Sequence, residues 1–311
     1  MLKHFGIRLL DAVPTVLFVI TLVFVALRLL PGDPAEVVLG EYATGAQMEL
    51  FREQMGLNAP LWQQYLVFIR DVVTFDLGTS LASGRAVADI IAANLPYTIE
   101  LTIAAMFMGI LFGIPMGVSA AVNRNGLPDT GSRIYALLGY AIPDFYLGAV
   151  LLIVFSLNLG WFPISGAGEG FADRLHHLFL PAFTLAVVKS SFISRLTRAS
   201  LLEALNKDFV RTAHAKGARE RRVVYRHGLR NAMLPITTGL GLSALATLSG
   251  SVPIELVFNR PGVGSLLINA ITERDYPVIQ GGVVVFAMFV VVINLLIDVA
   301  YLAVDPRVRI S

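Results

Sequence analysis

The sequence predicts an all-α integral membrane protein with six transmembrane helices. Three observations support this class: an apolar composition, long apolar stretches, and a basic segment that lies between two of these stretches. Hydrophobic residues make up 56% of the 311 residues and charged residues 15%, and the mean hydropathy is +0.71. A soluble domain carries about 25% charged residues. Cysteine is absent, which excludes disulfides and cysteine-ligated metal sites.

The spans follow from the length that a helix needs to cross a bilayer, about 20 apolar residues for a hydrocarbon core of about 30 Å. Six stretches meet this requirement: Ile7–Leu30, Tyr97–Val122, Ile134–Leu157, Leu178–Ser200, Asn231–Val252 and Gly281–Val304. The first stretch has Lys3 before it and Arg8 at its start, an arrangement similar to the basic residues of a signal peptide. It is too long for one, however, and PGDP follows it in place of a small-residue cleavage site. We therefore expect an uncleaved helix.

The distribution of charge predicts the orientation. Ten Lys or Arg residues and only three acidic residues lie between Arg195 and Arg230. Basic loops beside membrane spans are retained in the cytoplasm, so this loop is predicted to be cytoplasmic. Residues 31–96 instead carry eight acidic residues against three arginines, which favours the external side. Six spans then place both termini inside the cell (N-in, C-in).

The predicted organisation has four parts. An N-terminal transmembrane helix occupies 1–30 and an external helical loop occupies 31–95. A five-helix core occupies 96–305 and contains the cytoplasmic loop 201–230, and a cytoplasmic tail occupies 306–311.

Short amphipathic helices are expected within the external loop. Thr44 and Gln47 have the spacing of a capping box, and Gly56 is placed to end the helix that follows. A second helix is expected to start at Pro60, and a third to cover Arg85–Ala93.

The chain lacks the motifs of an energy-harvesting or proteolytic enzyme. None of its four lysines follows a glycine, so the phosphate-binding pattern G-x-x-x-x-G-K-[ST] is absent, and H-E-x-x-H is absent as well. Any active work by this protein must therefore draw its energy from another chain.

One segment of the basic loop carries a recognisable motif. The run from Arg211 to Gly217 reads R-T-A-x-x-x-G, with His227 and Leu229 downstream, and it resembles the EAA loop of ABC importer permeases. The resemblance is to the dipeptide/oligopeptide/nickel family, with Arg211 in place of the motif's glutamate and Thr212 in place of its first alanine. Further segments resemble the same family: LLPGDPA at 29–35, DLGTS at 76–80, LPYTIEL at 95–101, ELVFNRPGVGSLL at 255–267, RDYPVIQG at 274–281 and DPRVR at 305–309.

The resemblance implies a type I ABC importer permease fold, with 96–305 as a MetI-like permease core, in the inner membrane of a prokaryote. It implies a heterodimer with a second, homologous permease, two cytoplasmic ABC ATPases that bind the ATP and Mg, and an external solute-binding protein. No cofactor, metal, catalytic residue or nucleic acid is expected in this chain. The expected solute is a dipeptide or oligopeptide, with nickel and glutathione as alternatives.

The resemblance also implies the site of coupling to the ATPase. The residues that match the motif are Arg211, Thr212, Ala213, Lys216 and Gly217. We expect a short helix from about Leu201 to Lys216 that Gly217 terminates, since glycine favours the C-terminal position of a helix. The alternative is that the loop only anchors the orientation of the chain.

Ionisable residues inside predicted spans suggest functional positions, because a charge at the bilayer centre costs about 2.5–3.5 kcal/mol. Asp144 and Lys189 lie near the middle of the third and fourth spans. We expect one or both to line the translocation pathway. The alternatives are an ion pair between them that fixes helix packing, or a Lys189 side chain that extends to the membrane interface (snorkelling).

Other classes of protein are alternatives to an ABC permease. An ion-coupled secondary transporter could use Asp144, Lys189 and Asp298 as a proton relay, and it would function without an ATPase. A membrane-embedded enzyme would need a convergent catalytic set, which the sequence does not suggest. His176 and His177 raise the alternative of a nickel site.

A stripe of glycines at every fourth position (Gly109, Gly113 and Gly117) predicts close helix packing.

Overall fold

The computed structural model describes residues 2–29, 44–54 and 56–304, which are helical apart from short connections and one isolated β-bridge between Thr79 and Ala86. The LLPGDPA and DPRVR segments beyond residue 29 and residue 304, and the predicted tail 306–311, lie outside the described residues. The helices are α1 Leu2–Leu29, α2 Gly45–Gln54, α3 Leu61–Thr74, α4 Val87–Val122, α5 Leu127–Ala141, α6 Asp144–Leu151, α7 Gly170–Leu205, α8 Asp208–Ala215, α9 Glu220–Val257, α10 Val263–Glu273 and α11 Tyr276–Val304.

The all-α membrane class is confirmed. Four of the described helices, α4, α7, α9 and α11, are long and apolar enough to cross a membrane, and a bent pair of helices gives a fifth candidate. Helix α1 has 28 residues, and Val16–Ala26 is an apolar part of it among the side chains that the structure describes. The count of six spans therefore stays a prediction.

The third predicted span, Ile134–Leu157, is wrong as a single helix. Helix α5 ends at Ala141, and α6 begins at Asp144 and continues as a π-helical segment, Leu152–Asn158, at an angle of 100° to α5. The cause is Pro143, whose ring disfavours a helical backbone at the preceding residue, and Ile142 is accordingly extended (φ −97°, ψ 121°). Asp144 thus starts a helix instead of lying in the middle of one.

A separate helix at Arg85–Ala93 is also wrong. Helix α4 begins at Val87 and runs through Pro96 to Val122 without a break. Pro96 removes one backbone hydrogen bond, but buried side chains on both sides of it, Ile91 and Leu101, favour the continuous helix.

Helices α2 and α3 confirm their sequence signals. The Gln47 side chain accepts a hydrogen bond from the backbone N–H of Thr44 (2.9 Å), and the backbone N–H of Gln47 donates to the Thr44 hydroxyl (3.4 Å). This is the predicted capping box. Gly56 has a left-handed backbone (φ +64°), and α3 follows directly on Pro60.

The chain divides into two compact units, the first of which comprises Met1–Pro96 and Gly262–Val292. Its core joins Val87 and Ile91 of α4 to Ala270 of α10 and Val278 of α11. The loop that precedes α4 is held by Asp275, whose carboxylate accepts hydrogen bonds from the Ser80 hydroxyl and from the backbone N–H groups of Leu81 and Ala82.

The second unit comprises Tyr97–Pro261 and Ile293–Ser311, and α7 is its central helix. In the most apolar 18-residue stretch of α7, 61% is buried, against 33–39% in the corresponding stretches of α4, α9 and α11. Helix α4 packs on α7 through its glycine stripe: a Cβ atom at Gly113 would lie 2.7 Å from Ile193 Cβ, and one at Gly117 would lie 2.5 Å from the Ser194 carbonyl oxygen. The predicted close packing is confirmed.

Candidate functional site

Helix α8 is a two-turn helix that follows α7 in the basic loop. The expected continuous helix Leu201–Lys216 is wrong, because α7 ends at Leu205 and Lys207 has an extended backbone (φ −80°, ψ 155°). The break allows α8 to bury one face: Val210 (3% exposed) and Ala213 (8% exposed) pack against Val223. The helix is thereby fixed to the start of α9.

The opposite face of α8 is exposed and positively charged. The Arg211 side chain is 81% exposed, and its nearest acidic atom is an Asp208 oxygen at 3.6 Å. Thr212 and Lys216 are also exposed, although the Thr212 hydroxyl donates to the Asp208 carbonyl (3.0 Å). Of the five residues that match the motif, Ala213 alone faces inward, where it packs instead of presenting a surface.

Gly217 ends α8 as predicted. Its backbone is left-handed (φ +75°), its N–H donates to the His214 carbonyl (2.8 Å), and the N–H of Ala218 donates to the Ala213 carbonyl (3.1 Å). This hydrogen-bond pair is a Schellman motif, which terminates a helix and sets the direction of the following chain. The imidazole of His214 lies 2.9 Å from a Glu220 carboxylate oxygen, which adds a second link to α9.

The sequence reasoning missed Phe209. Its side chain is 39% exposed on the same helix as Arg211, whereas Val210 and Ala213 take the buried positions. Aromatic residues and arginines are enriched at protein interfaces. The available signal was the spacing, because a face defined by residues 210 and 213 leaves 209 outside it.

A second group of residues lies inside the core. Asp144 at the start of α6 and Lys189 on α7 both approach Gly250 on α9: a Cβ atom at Gly250 would lie 3.0 Å from Asp144 Oδ2 and 3.8 Å from Lys189 Nζ. Lys189 Nζ donates to the Ala246 carbonyl (3.4 Å), and no ion pair of 4.0 Å or less joins Asp144 to Lys189. The structure therefore brings the two predicted pathway residues together without the short ion pair.

Gly250 could not be assigned to this group from the sequence, because it meets Asp144 and Lys189 only where α6, α7 and α9 come together. Asp298, the third residue of the proton-relay alternative, belongs to α11, but its side chain lies outside the described residues.

A charged cluster lies at the end of α7 opposite α8. Glu100 of α4 forms ion pairs with Arg174 and Arg260, and both guanidinium groups stack within 5.4 Å of the Tyr97 ring. Burial lowers the pKa of Arg260, which lies in the connection after α9, and the charge of Glu100 opposes this effect. The cluster ties α4, α7 and the α9–α10 connection together.

The two histidines of the nickel alternative have separate protein partners. His176 Nε2 lies 2.8 Å from the Trp161 carbonyl oxygen, and His177 Nδ1 lies 2.9 Å from the Asp173 carbonyl oxygen. Within the described residues, no group of three or more His, Cys, Asp or Glu side chains is placed to hold a metal ion.

Comparison with known proteins gives consistent matches. The family model for the binding-protein-dependent transport system inner membrane component matches residues 113–310, and the corresponding N-terminal model matches residues 1–102. The glutathione transport system permease protein GsiC of Pectobacterium atrosepticum is 43% identical over 309 residues, which is 99% of each chain. The protein of the same name from Escherichia coli strain K12 is also 43% identical with the same coverage.

Solved structures share the fold. A chain of the inward-facing methionine ABC transporter MetNI superimposes with a TM-score of 0.59 at 20% identity, over 70% of this chain and 96% of the other. An amino acid ABC transporter crystallised with histidines gives a TM-score of 0.54 at 14% identity, over 69% of this chain and 94% of the other.

Proposed function

Since this chain belongs to the family of binding-protein-dependent transport system inner membrane components, we propose that it carries glutathione or a peptide of similar size through the membrane. It is an inner-membrane permease of an ABC importer of the dipeptide/oligopeptide/nickel family, with the type I permease fold. The observation that carries the proposed solute is the 43% identity, over 99% of both chains, to permeases named for glutathione transport.

The glutathione proposal refines the expectation of a peptide solute. Glutathione is a tripeptide that carries carboxylates and an ammonium group, so one pathway chemistry serves both solutes. Asp144 and Lys189 supply one group of each sign at a single position, beside Gly250, where a side chain would leave little space. Nickel has less support as the solute, because the relatives with 43% identity are named for glutathione transport.

The proposed topology has six spans with both termini in the cytoplasm, and it places α8 on the cytoplasmic side. The basic residues between Arg195 and Arg230 support this orientation. The proposed partners are a second, homologous permease, two ABC ATPases and an external solute-binding protein. The chain itself is a transport subunit, and the ATP and Mg are proposed to bind to the ATPases.

Helix α8 is the proposed contact with an ATPase. Its buried face and its Schellman motif hold it rigidly, while Phe209, Arg211, Thr212 and Lys216 form an exposed surface. A rigid element of this kind transmits displacement instead of absorbing it. Gly217 fixes the direction of the chain as it leaves this surface.

The test uses the complete importer, assembled in liposomes with its binding protein. We expect ATP-dependent uptake of radiolabelled glutathione that unlabelled short peptides compete for and NiCl2 does not. Arg211→Glu reverses the charge of a side chain that is 81% exposed on α8, so it is expected to reduce co-purification of the ATPase and uptake together. Arg124→Glu, the same charge reversal at an exposed position on the α4–α5 connection, serves as the control.

Three results would contradict the proposal. Uptake by the chain alone, driven by a proton gradient without ATP, would favour the ion-coupled transporter. Saturable ATP-dependent uptake of nickel, but not of glutathione, would favour the nickel importer. Equal loss of the ATPase in the Arg211→Glu and Arg124→Glu complexes would remove α8 as the specific contact.

The pathway role of Lys189 has its own test. Lys189→Met keeps the length of the side chain but removes its charge, and we expect a higher KM for glutathione with the complex still assembled. Lys207→Met is the matched control, because Lys207 is an exposed residue beyond the end of α7. An unchanged KM in the Lys189→Met importer would show that Lys189 does not line the pathway.

A further inference from the structure

A basic cleft of about 560 Å³ lies between α5 and α7. Its charged residues are Arg133 of α5 and Arg195 and Arg198 of α7. None of them belongs to the α8 surface or to the Asp144–Lys189 group.

Two of the arginines are held in place by a buried carboxylate. Asp129 has a side chain with 0% exposure; it accepts hydrogen bonds from Arg133 Nη2 (2.6 Å) and Arg198 Nη2 (2.9 Å), and from the backbone N–H of Asn125 (2.9 Å). Because the carboxylate fixes both guanidinium groups, the cleft is organised before any ligand arrives. Preorganisation of this kind lowers the entropic cost of binding.

Arg195, the third arginine of the cleft, has an uncharged partner, so its positive charge remains available to a ligand. Arg195 donates to the Tyr140 hydroxyl (3.1 Å), and its guanidinium carbon lies 4.7 Å from the centre of the Tyr140 ring. Asp129 is the only acidic residue in the described part of the chain with a hydrogen bond or ion pair to any of the three arginines. The three positive charges therefore face one negative charge, and the cleft keeps a net positive charge that suits an anion.

An apolar surface continues from the cleft along α5. The side chains of Ile134, Leu137 and Leu138 are 54%, 70% and 52% exposed. A small soluble anion would use the arginines alone. An amphipathic ligand with an anionic head and a hydrocarbon tail would cover both the arginines and this apolar surface.

The position of the cleft along α7 fits the headgroup layer of a membrane. Helix α7 has 36 residues and is about 54 Å long, more than the 40–45 Å thickness of a bilayer with its headgroups. Arg198 and Arg195 lie about 10 and 15 Å from the end of α7 at Leu205. If α7 extends past the membrane surface at this end, both arginines lie near the level of lipid phosphates.

We propose that the cleft formed by Arg133, Tyr140, Arg195 and Arg198 binds the headgroup of an anionic membrane phospholipid, whose acyl chain lies on the apolar surface of α5. Clusters of basic residues between membrane helices bind such headgroups through charge, at about 1 kcal/mol per Lys or Arg. The inference is independent of the solute that the importer carries.

The experiment measures lipid binding to the complete importer, purified in mild detergent and delipidated. Native mass spectrometry follows the titration of phosphatidylglycerol and of phosphatidylcholine with the same acyl chains. We expect phosphatidylglycerol to bind more tightly, and Arg195→Gln to weaken it by about fivefold, the effect of one arginine. Arg195→Lys keeps the charge and should retain most of the preference. Arg124→Gln removes an exposed arginine outside the cleft and should leave binding unchanged.

Several outcomes would overturn the proposal. Equal binding of the two lipids to the unaltered importer would do so without any variant, as would a complex that excludes lipid because a partner chain covers this face. Equal loss of binding in Arg195→Gln and Arg124→Gln would show a general effect of charge. If inorganic phosphate or glycerol 3-phosphate alone protects the importer from thermal unfolding as well as the lipid does, the site is one for a soluble anion.

Discussion

The contact between α4 and α7 makes a graded prediction about Gly109, Gly113 and Gly117. A Cβ atom at Gly117 would lie 2.5 Å from the Ser194 carbonyl oxygen, and one at Gly113 would lie 2.9 Å from the Ser190 carbonyl oxygen. A backbone oxygen cannot rotate away, so the two helices must separate. At Gly109 the nearest atom is a side-chain carbon at 3.3 Å, which needs only a small adjustment.

The expected magnitude follows from the separation required. At Gly117 the helices must move apart by about 0.9 Å to restore ordinary contact at 3.4 Å. Overpacking of this kind costs about 1–3 kcal/mol, and the better helix propensity of alanine recovers about 1 kcal/mol. The melting temperature changes by about 2–4 °C per kcal/mol in proteins of about 150–250 residues, and by somewhat less in a longer chain such as this one of 311 residues. Gly117→Ala should therefore melt lower than the unaltered protein by a few degrees, Gly113→Ala by somewhat less, and Gly109→Ala by little.

The matched control is Gly131→Ala. Gly131 lies within α5, is exposed, and has no atom within 4 Å of a Cβ built on it, so alanine should stabilise it slightly. Thermal unfolding of all four variants, purified in the same detergent and followed by tryptophan fluorescence, gives the comparison. A Gly117→Ala variant that melts within 1 °C of Gly131→Ala would refute the close contact of α4 with α7.

Three further predictions rest on single residues. Asp129→Asn should melt at a temperature well below that of Asp208→Asn. The Asp129 carboxylate is buried between two arginines, whereas the Asp208 carboxylate is 95% exposed, so equal melting temperatures of the two variants would contradict this prediction. Asp275→Asn should raise amide hydrogen exchange in residues 78–86, because that loop donates three hydrogen bonds to the carboxylate, and unchanged exchange would contradict it. Gly217→Val should reduce the ATP hydrolysis that the binding protein stimulates more than Gly217→Asn does. A left-handed backbone costs a residue other than glycine about 1–2 kcal/mol, and asparagine tolerates it best. Equal effects of the two substitutions would contradict the role of the left-handed turn.

Features governed by local chemistry could be predicted from the sequence. The capping box at Thr44 and Gln47 and the helix end at Gly217 each depend on a few neighbouring residues, and both are present. The glycine stripe of α4 was also recognisable, because its spacing places three small residues on one helix face. Each of these signals works within about four residues of chain.

Proline shows where local reasoning fails. Pro143 breaks the predicted third span, whereas Pro96 lies within a continuous helix. The local cost of a proline in a helix, about 3 kcal/mol, is the same in both cases. What differs is the packing of the residues around it, and tertiary packing cannot be read from one sequence. Interactions that join distant segments were missed for the same reason, including the approach of Asp144 and Lys189 to Gly250.

The second unit provides a physical path from the proposed ATPase contact to the proposed pathway. Helix α8 joins α7 through two residues, Asn206 and Lys207, and it is also fixed to the start of α9 through Val210 and Val223. Displacement of α8 must therefore act on both helices that carry Lys189 and Gly250. Lys189 lies 16 residues from the end of α7, about 24 Å along a rigid helix axis.

The α4 glycines contact α7 along that same length, so they control how freely it can move. A looser α4–α7 contact in Gly117→Ala should let α7 shift without moving the Asp144–Lys189 group. We therefore expect this variant to hydrolyse more ATP for each glutathione imported, whereas Gly131→Ala keeps the ratio of the unaltered importer. An unchanged ratio in a Gly117→Ala importer that melts at a lower temperature would show that α7 is not the element that links the two sites.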